Sequence, residues 1–136
     1  MSASIFLDTN IWIYAYEQSD ETRPETSRQL IADNSDRIIL STQNLGEIYN
    51  TLTRKQILDR PQAADLIEQL IDIFEPVPIQ ASTVRQALAI QQQTQYSYWD
   101  SLIVATAIEY RCERLYSEDL QHDRRVENLT IVNPFL

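Results

Sequence analysis

Short apolar runs alternate along the chain with longer stretches whose apolar residues recur every three or four positions. Residues 4–7, 37–40, 114–117 and 129–132 are the short runs, and they read as buried strands. Residues 10–16 read as a helix. Thr22, Arg23, Pro24 and Glu25 read as a helix start, with Thr22 as cap and Glu25 closing a capping box, running to about Asn34. Ser41 or Thr42 caps a further helix, in which Leu45, Ile48, Tyr49 and Leu52 keep helical spacing. Pro61 opens another, with Ala64, Ile67, Leu70, Ile71 and Phe74 as its stripe, and Pro76 and Pro78 bracket a short extended piece. Residues 81–93 are helical. Residues 99–111 form a helix apolar on most faces, and therefore central. This alternation predicts an α/β fold: one three-layer domain over residues 1–136, with a parallel sheet of four to five strands and helices on both faces.

Composition narrows the function. With 136 residues and 43% apolar content, the chain can bury roughly two-thirds of its unfolded surface without disulfides or structural metal. Cys112 is the only cysteine, which excludes an internal disulfide and a multi-thiolate zinc site; it reads as a small buried side chain. Gly46 is the only glycine, whereas nucleotide-cradling loops need several. His122 is the only histidine, so a histidine-pair ribonuclease is excluded, and an exposed loop position is expected for it. The net charge of −9 argues against broad binding to nucleic-acid phosphates. Ten of the eleven basic residues are arginine and Lys55 is the lone lysine, which suits planar contacts to phosphate or carboxylate. The start, from Met1 to Leu7, has no basic region and no apolar run nears the ~20 residues of a membrane span. A cytoplasmic location is expected.

Parallel sheets place their sites at the carboxyl ends of the strands, and four carboxylates fall there. Asp8 ends the first strand and Asp119 follows Ser117. Glu47 lies in the helix after the second strand, and Asp100 lies in the first turn of the apolar helix. Each has a plain structural reading: Asp8 as a helix cap, Glu47 as a solvated helix residue, Asp100 as a first-turn acid favoured by the helix dipole, Asp119 as a turn residue beside the equally acidic Glu118 and Asp123. Together they suggest an oxygen-only cation site, suited to magnesium or manganese over zinc.

These residues resemble the PIN domain family. Leu7, Asp8, Thr9 and Asn10 resemble its opening motif, and Asn44, Leu45, Gly46, Glu47 and Tyr49 the second. Trp99, Asp100, Ser101, Leu102, Ile103, Ala105 and Ala107 resemble the third; Leu115, Tyr116, Ser117, Glu118 and Asp119 the fourth. The resemblance runs from Ile5 to Phe135, and its compact size is similar to the VapC-type toxins of bacterial toxin–antitoxin pairs. It implies a magnesium-dependent endoribonuclease, with manganese as a substitute, whose catalytic residues are Asp8, Glu47, Asp100 and Asp119. Asp8, Asp100 and Asp119 would bind the metal, and Thr9, Asn10 and Ser117 would orient carboxylates or water. One departure is that Gln121, His122 and Asp123 stand where relatives often carry a glycine turn, so a differently shaped fourth motif is expected.

The expected partners are RNA, an antitoxin that inserts an arginine between the carboxylates, and a second copy of the chain joined through apolar helix faces. Tyr96, Tyr98 and Trp99 are either wall and core or a surface for stacking bases. Three alternatives remain at this level. The first is a non-catalytic PIN-fold module that binds RNA or protein. A phosphotransfer receiver would need a lysine near a late strand end, and Lys55 lies on a helix. A haloacid-type phosphatase would need a second aspartate at position 10, which is Asn10.

Overall fold

The computed structural model describes residues 3–19 and 21–136. Its strands are short: β1 (Ile5–Leu7), β2 (Ile38–Ile39), β3 (Arg114–Tyr116), β4 (Arg125–Val126) and β5 (Leu129–Val132). The order across the sheet is β2-β1-β3-β5-β4. β1 pairs in parallel with β2 and β3, and β3 with β5. The two-residue β4 closes the edge antiparallel to β5, so the sheet is parallel but for this edge strand, which the sequence reading omits. The tight turn joining β4 to β5 places Glu127 at φ 54°. That left-handed conformation is usually marked by glycine or asparagine, so no turn signal announced the strand. The piece between Pro76 and Pro78 contributes a single parallel bridge, Ser41 to Val77, rather than a strand.

Side chains alternate across each strand, and this sorts the core into two layers. Phe6, Leu115, Leu129 and Ile131 face α5 (Ala81–Gln93) and α6 (Tyr98–Glu109). Ile5, Leu7, Ile38 and Tyr116 face α1 (Thr9–Tyr16), α2 (Thr22–Asp33), α3 (Thr42–Arg54) and α4 (Arg60–Phe74). Trp12 is fully buried in the second layer, edge-on to Phe74 at 5.3 Å. Residues 101–107 of α6 are all buried, so this helix is central, as its apolar faces predict. Cys112 is buried too, in the turn between α6 and β3.

Caps fix where the helices nearest the site begin. Ser41 and Asn44 form a reciprocal capping box at α3, Asp59 and Gln62 another at α4, and the Ser97 hydroxyl caps α6. The expected cap at Thr22 is not found: Thr22 is already helical, Glu21 occupies the cap position, and no side chain completes the bond. No helix among the described residues is long and apolar enough to cross a membrane.

Candidate functional site

Four parallel strands end at one edge; after β1, β2 and β3 the chain turns there into the elements that carry Asp8, Glu47 and Asp119, while Asp100 lies at the start of α6, which follows α5. Asp8 directly follows β1 and caps α1, its Oδ1 accepting from the Thr9 amide at 2.8 Å. Its Oδ2 accepts from the Ser117 hydroxyl, just beyond β3, at 2.8 Å. The Ser117 hydroxyl oxygen lies 3.3 Å from the amide nitrogens of Asp119 and Leu120, which donate to it. Ser117 thus joins the first strand's carboxylate to the loop that carries Asp119.

A second chain of hydrogen bonds holds Glu47. The Thr9 hydroxyl donates to Glu47 Oε1 at 2.6 Å and accepts from Asn44 Nδ2 at 3.1 Å. Gln43 Nε2 reaches both Glu47 Oε2 at 3.4 Å and the Trp99 carbonyl at 3.2 Å, linking α3 to the start of α6. Asn10 Nδ2 donates to Asp119 Oδ2 at 2.6 Å. The polar residues Thr9, Asn10 and Ser117, singled out in the sequence, therefore each hold one carboxylate.

Electrostatics ties the four together. Burial pushes the Asp8 carboxyl up from 3.8 to about 6, and the nearby charges of Asp100 and Glu47 add to that rise against the hydrogen bonds from Ser117 and Thr9. Asp100 is also raised, first by burial and then by the charge of Asp119, while the Ser97 hydrogen bond opposes the shift. Among the described residues the ion pairs are Arg23–Glu118, Arg37–Glu113 and His122–Asp123. Among the described residues none of the four carboxylates has a basic partner; Asp8 is the buried one, and a buried unpaired charge is costly. No three acidic, histidine or cysteine side chains among the described residues form a ready-made metal-binding group. The donor chemistry still fits a hard cation of low protein-ligand count. Magnesium keeps several waters and commonly takes only one or two carboxylates beside a substrate phosphate.

The neighbouring acids separate by their partners. Glu118 accepts from the Tyr14 hydroxyl at 2.6 Å and from Arg23 Nε at 2.7 Å. Burial raises its pKa, but these two bonds and the Arg23 charge outweigh it and hold the carboxyl low. Glu118 is thus neutralised on the α1–α2 side, whereas Asp119 faces Asn10. Asp123 sits on the exposed loop at φ 65°, in the left-handed region that the absent glycine would have favoured. His122 Nδ1 accepts from the Asn133 amide at 3.0 Å, so its role there is in the loop itself. Gln43 and Asn44, to which the sequence reading gave no role, donate to Glu47 and to the Thr9 hydroxyl. The four-residue spacing of Gln43 and Glu47 on one helix was the signal for the first.

The profile of the PIN domain family matches residues 5–128. No curated protein sequence matches the chain. Among solved structures, a VapC toxin of Mycobacterium tuberculosis described as cleaving the sarcin–ricin loop is similar with TM-score 0.69 and 23% identity, over 85% of this chain and 90% of that one. A toxin–antitoxin complex from Klebsiella pneumoniae gives TM-score 0.73 at 18% identity, over 96% of this chain and 98% of that one. A DNA-bound VapBC complex from Salmonella typhimurium gives 0.71 at 18%, over 96% and 97%. From residues 5–128 and the fold built on them, the chain belongs to the PIN domain family.

Proposed function

We propose that the chain, one nuclease domain over residues 1–136, is a magnesium-dependent endoribonuclease and the toxin of a toxin–antitoxin pair. The observation that carries this reading is Asp8: a buried carboxylate, pressed by the charges of Asp100 and Glu47 and without a basic partner among the described residues, at the site edge of a PIN domain. A divalent cation relieves that cost. Asp8 and Asp100 would hold it directly, and Asp119, fixed by Asn10, would complete the shell through a bound water. Bound magnesium supplies Lewis-acid polarisation of a phosphate oxygen and a water of lowered pKa, and manganese substitutes for it. Glu47, oriented by Thr9 and Gln43, positions the attacking water and takes its proton. Ser117 keeps Asp8 turned into the site. As the water oxygen bonds to phosphorus the P–O3′ bond would break and the 3′ oxygen would take a proton from solvent, so the products would carry 5′-phosphate and 3′-hydroxyl ends.

The toxin reading draws on the structural neighbours, several of which are toxin–antitoxin assemblies. An acidic site without its own cations suits an antitoxin segment that inserts an arginine toward Asp8 and Asp100, since the guanidinium fork matches carboxylate geometry. A second copy of the chain, joined through apolar helix faces, is the further partner proposed.

Incubating purified protein with RNA, in magnesium and in chelator, and then analysing the product ends tests the activity. New 5′-phosphate ends that appear only with the metal are expected. Binding of RNA without cleavage would instead identify a non-catalytic PIN module. Co-purification from the native operon tests the antitoxin, and sedimentation at micromolar concentration tests the dimer.

A further inference from the structure

Trp99 differs from the chain's other tryptophan in its surroundings. Trp12 is fully buried, whereas Trp99 is 61% exposed. Tyr98 meets it edge-on, with ring centroids 5.0 Å apart and planes at 75°, so its indole is braced on one side and open to solvent elsewhere. It occupies the first turn of α6, directly before Asp100. That turn is tied to the acidic site, because the Gln43 amide that donates to the Trp99 carbonyl also donates to Glu47. Helix formation does not require an indole here: Ser97 supplies the cap, and the buried face of α6 begins at Ser101. A large aromatic ring left in water at this place needs another explanation.

Charge supplies a second line of reasoning. The net charge is −9, which argues against broad, charge-driven binding to RNA phosphates. Stacking of a base on an aromatic ring is indifferent to net charge. The Arg124 guanidinium lies over the Tyr96 ring, 5.0 Å from its centroid, and Tyr96 lies within electrostatic reach of both Arg124 and Asp100.

We propose that Trp99 is a stacking platform for one unpaired RNA base beside the scissile phosphate, an inference that rests on the ribonuclease reading above. Only an unstacked base can lie against the indole, so the platform selects single-stranded segments such as loops over helical RNA. Because every base offers a π-face, it sets the register of the cut without fixing the base. Trp99 contributes binding, and the carboxylates contribute the chemistry.

The test uses the full chain and a mixed-sequence single-stranded oligoribonucleotide whose cleavage position has been mapped with the parent. Trp99→Leu should raise KM roughly 5- to 150-fold, the equivalent of losing one stacked base, with kcat nearly unchanged. Trp99→Phe should restore most of the loss. Single abasic substitutions walked along the substrate should find one position at which the parent suffers the same KM increase and Trp99→Leu suffers no further increase. Circular dichroism melts should overlay for all variants, because the side chain is exposed. An unchanged KM in Trp99→Leu, with the parent cleaving normally, would overturn the platform while leaving the ribonuclease intact. The exposed indole would then be a contact for a protein partner. A lower kcat at constant KM would also overturn it, making Trp99 a support for Asp100. A parent that cleaves no RNA in magnesium would remove both readings.

Discussion

Asp8→Asn is the substitution whose energetic consequence is best defined. The folded protein raises the Asp8 carboxyl from 3.8 to about 6, chiefly through burial. At about 1.4 kcal/mol per pH unit, keeping Asp8 ionised in the folded, metal-free state costs about 3 kcal/mol near neutral pH. Because the folded state binds the proton more tightly than the unfolded state does, stability falls as pH rises from the unfolded value near 4 to the folded value near 6. It then stays at the lower level. Asparagine keeps the shape, accepts from the Thr9 amide and remains a good cap; the Ser117 hydroxyl, whose oxygen already accepts from the Asp119 and Leu120 amides, loses its carboxylate acceptor, which offsets part of the gain. In chelator at pH 7.5 the variant should therefore be more stable than the parent by about 1–3 kcal/mol. At pH 4 the difference should shrink toward zero. Magnesium should narrow the gap or reverse it. Mass action stabilises the parent by about 2.7 kcal/mol at a hundredfold excess over the dissociation constant, and the variant gains much less. Urea unfolding at the two pH values, with chelator and with magnesium, reads all of these terms. A variant less stable than the parent in chelator at pH 7.5, together with equal magnesium shifts for both, would refute the assignment of Asp8 as a cation ligand.

Three shorter predictions follow from the same network. Asn44→Ala removes the partner of both the Ser41 amide and the Thr9 hydroxyl in a fully buried setting; a loss of about 1–3 kcal/mol is expected in urea unfolding, with slower cleavage as Glu47 loses its orientation. Glu118→Gln should leave cleavage near the parental rate, whereas Asp119→Asn should reduce it sharply. The Arg23–Glu118 pair is 42% and 20% exposed at its side chains, so Glu118→Gln should cost under about 1 kcal/mol in a thermal melt; equal cleavage losses in both variants would place Glu118 in the site. Burial pushes the Cys112 thiol up to about 12, so a disulfide-exchange reagent should leave the native protein unlabelled at pH 8 and label it fully in denaturant.

Much of this arrangement is legible in the sequence, because helices with strong periodicity and named caps announce themselves. The central position of α6 follows from its apolar faces, and the rule that sites gather at strand ends makes Asp8, Glu47, Asp100 and Asp119 candidates before any distance is known. What stays hidden depends on contacts distant in sequence or on unmarked backbone. β4 is two residues long, and its turn has Glu127 where a glycine would have signalled it. The start of α2 carries the residues of a capping box without forming one. Glu118 and Asp119 are equivalent as letters; only Tyr14 and Arg23 on one side and Asn10 on the other tell them apart.

The most direct test of the central claim is single-turnover cleavage of one RNA by the parent and by Asp100→Asn, measured side by side across a magnesium titration. The substitution preserves size and removes the charge at the start of α6, where Ser97 already caps the helix. The proposed site predicts a folded variant whose cleavage falls by at least about a hundredfold at every magnesium concentration, as expected when a metal ligand is lost. A folded Asp100→Asn protein cutting the same RNA at the parental rate, with the same magnesium dependence, would contradict it.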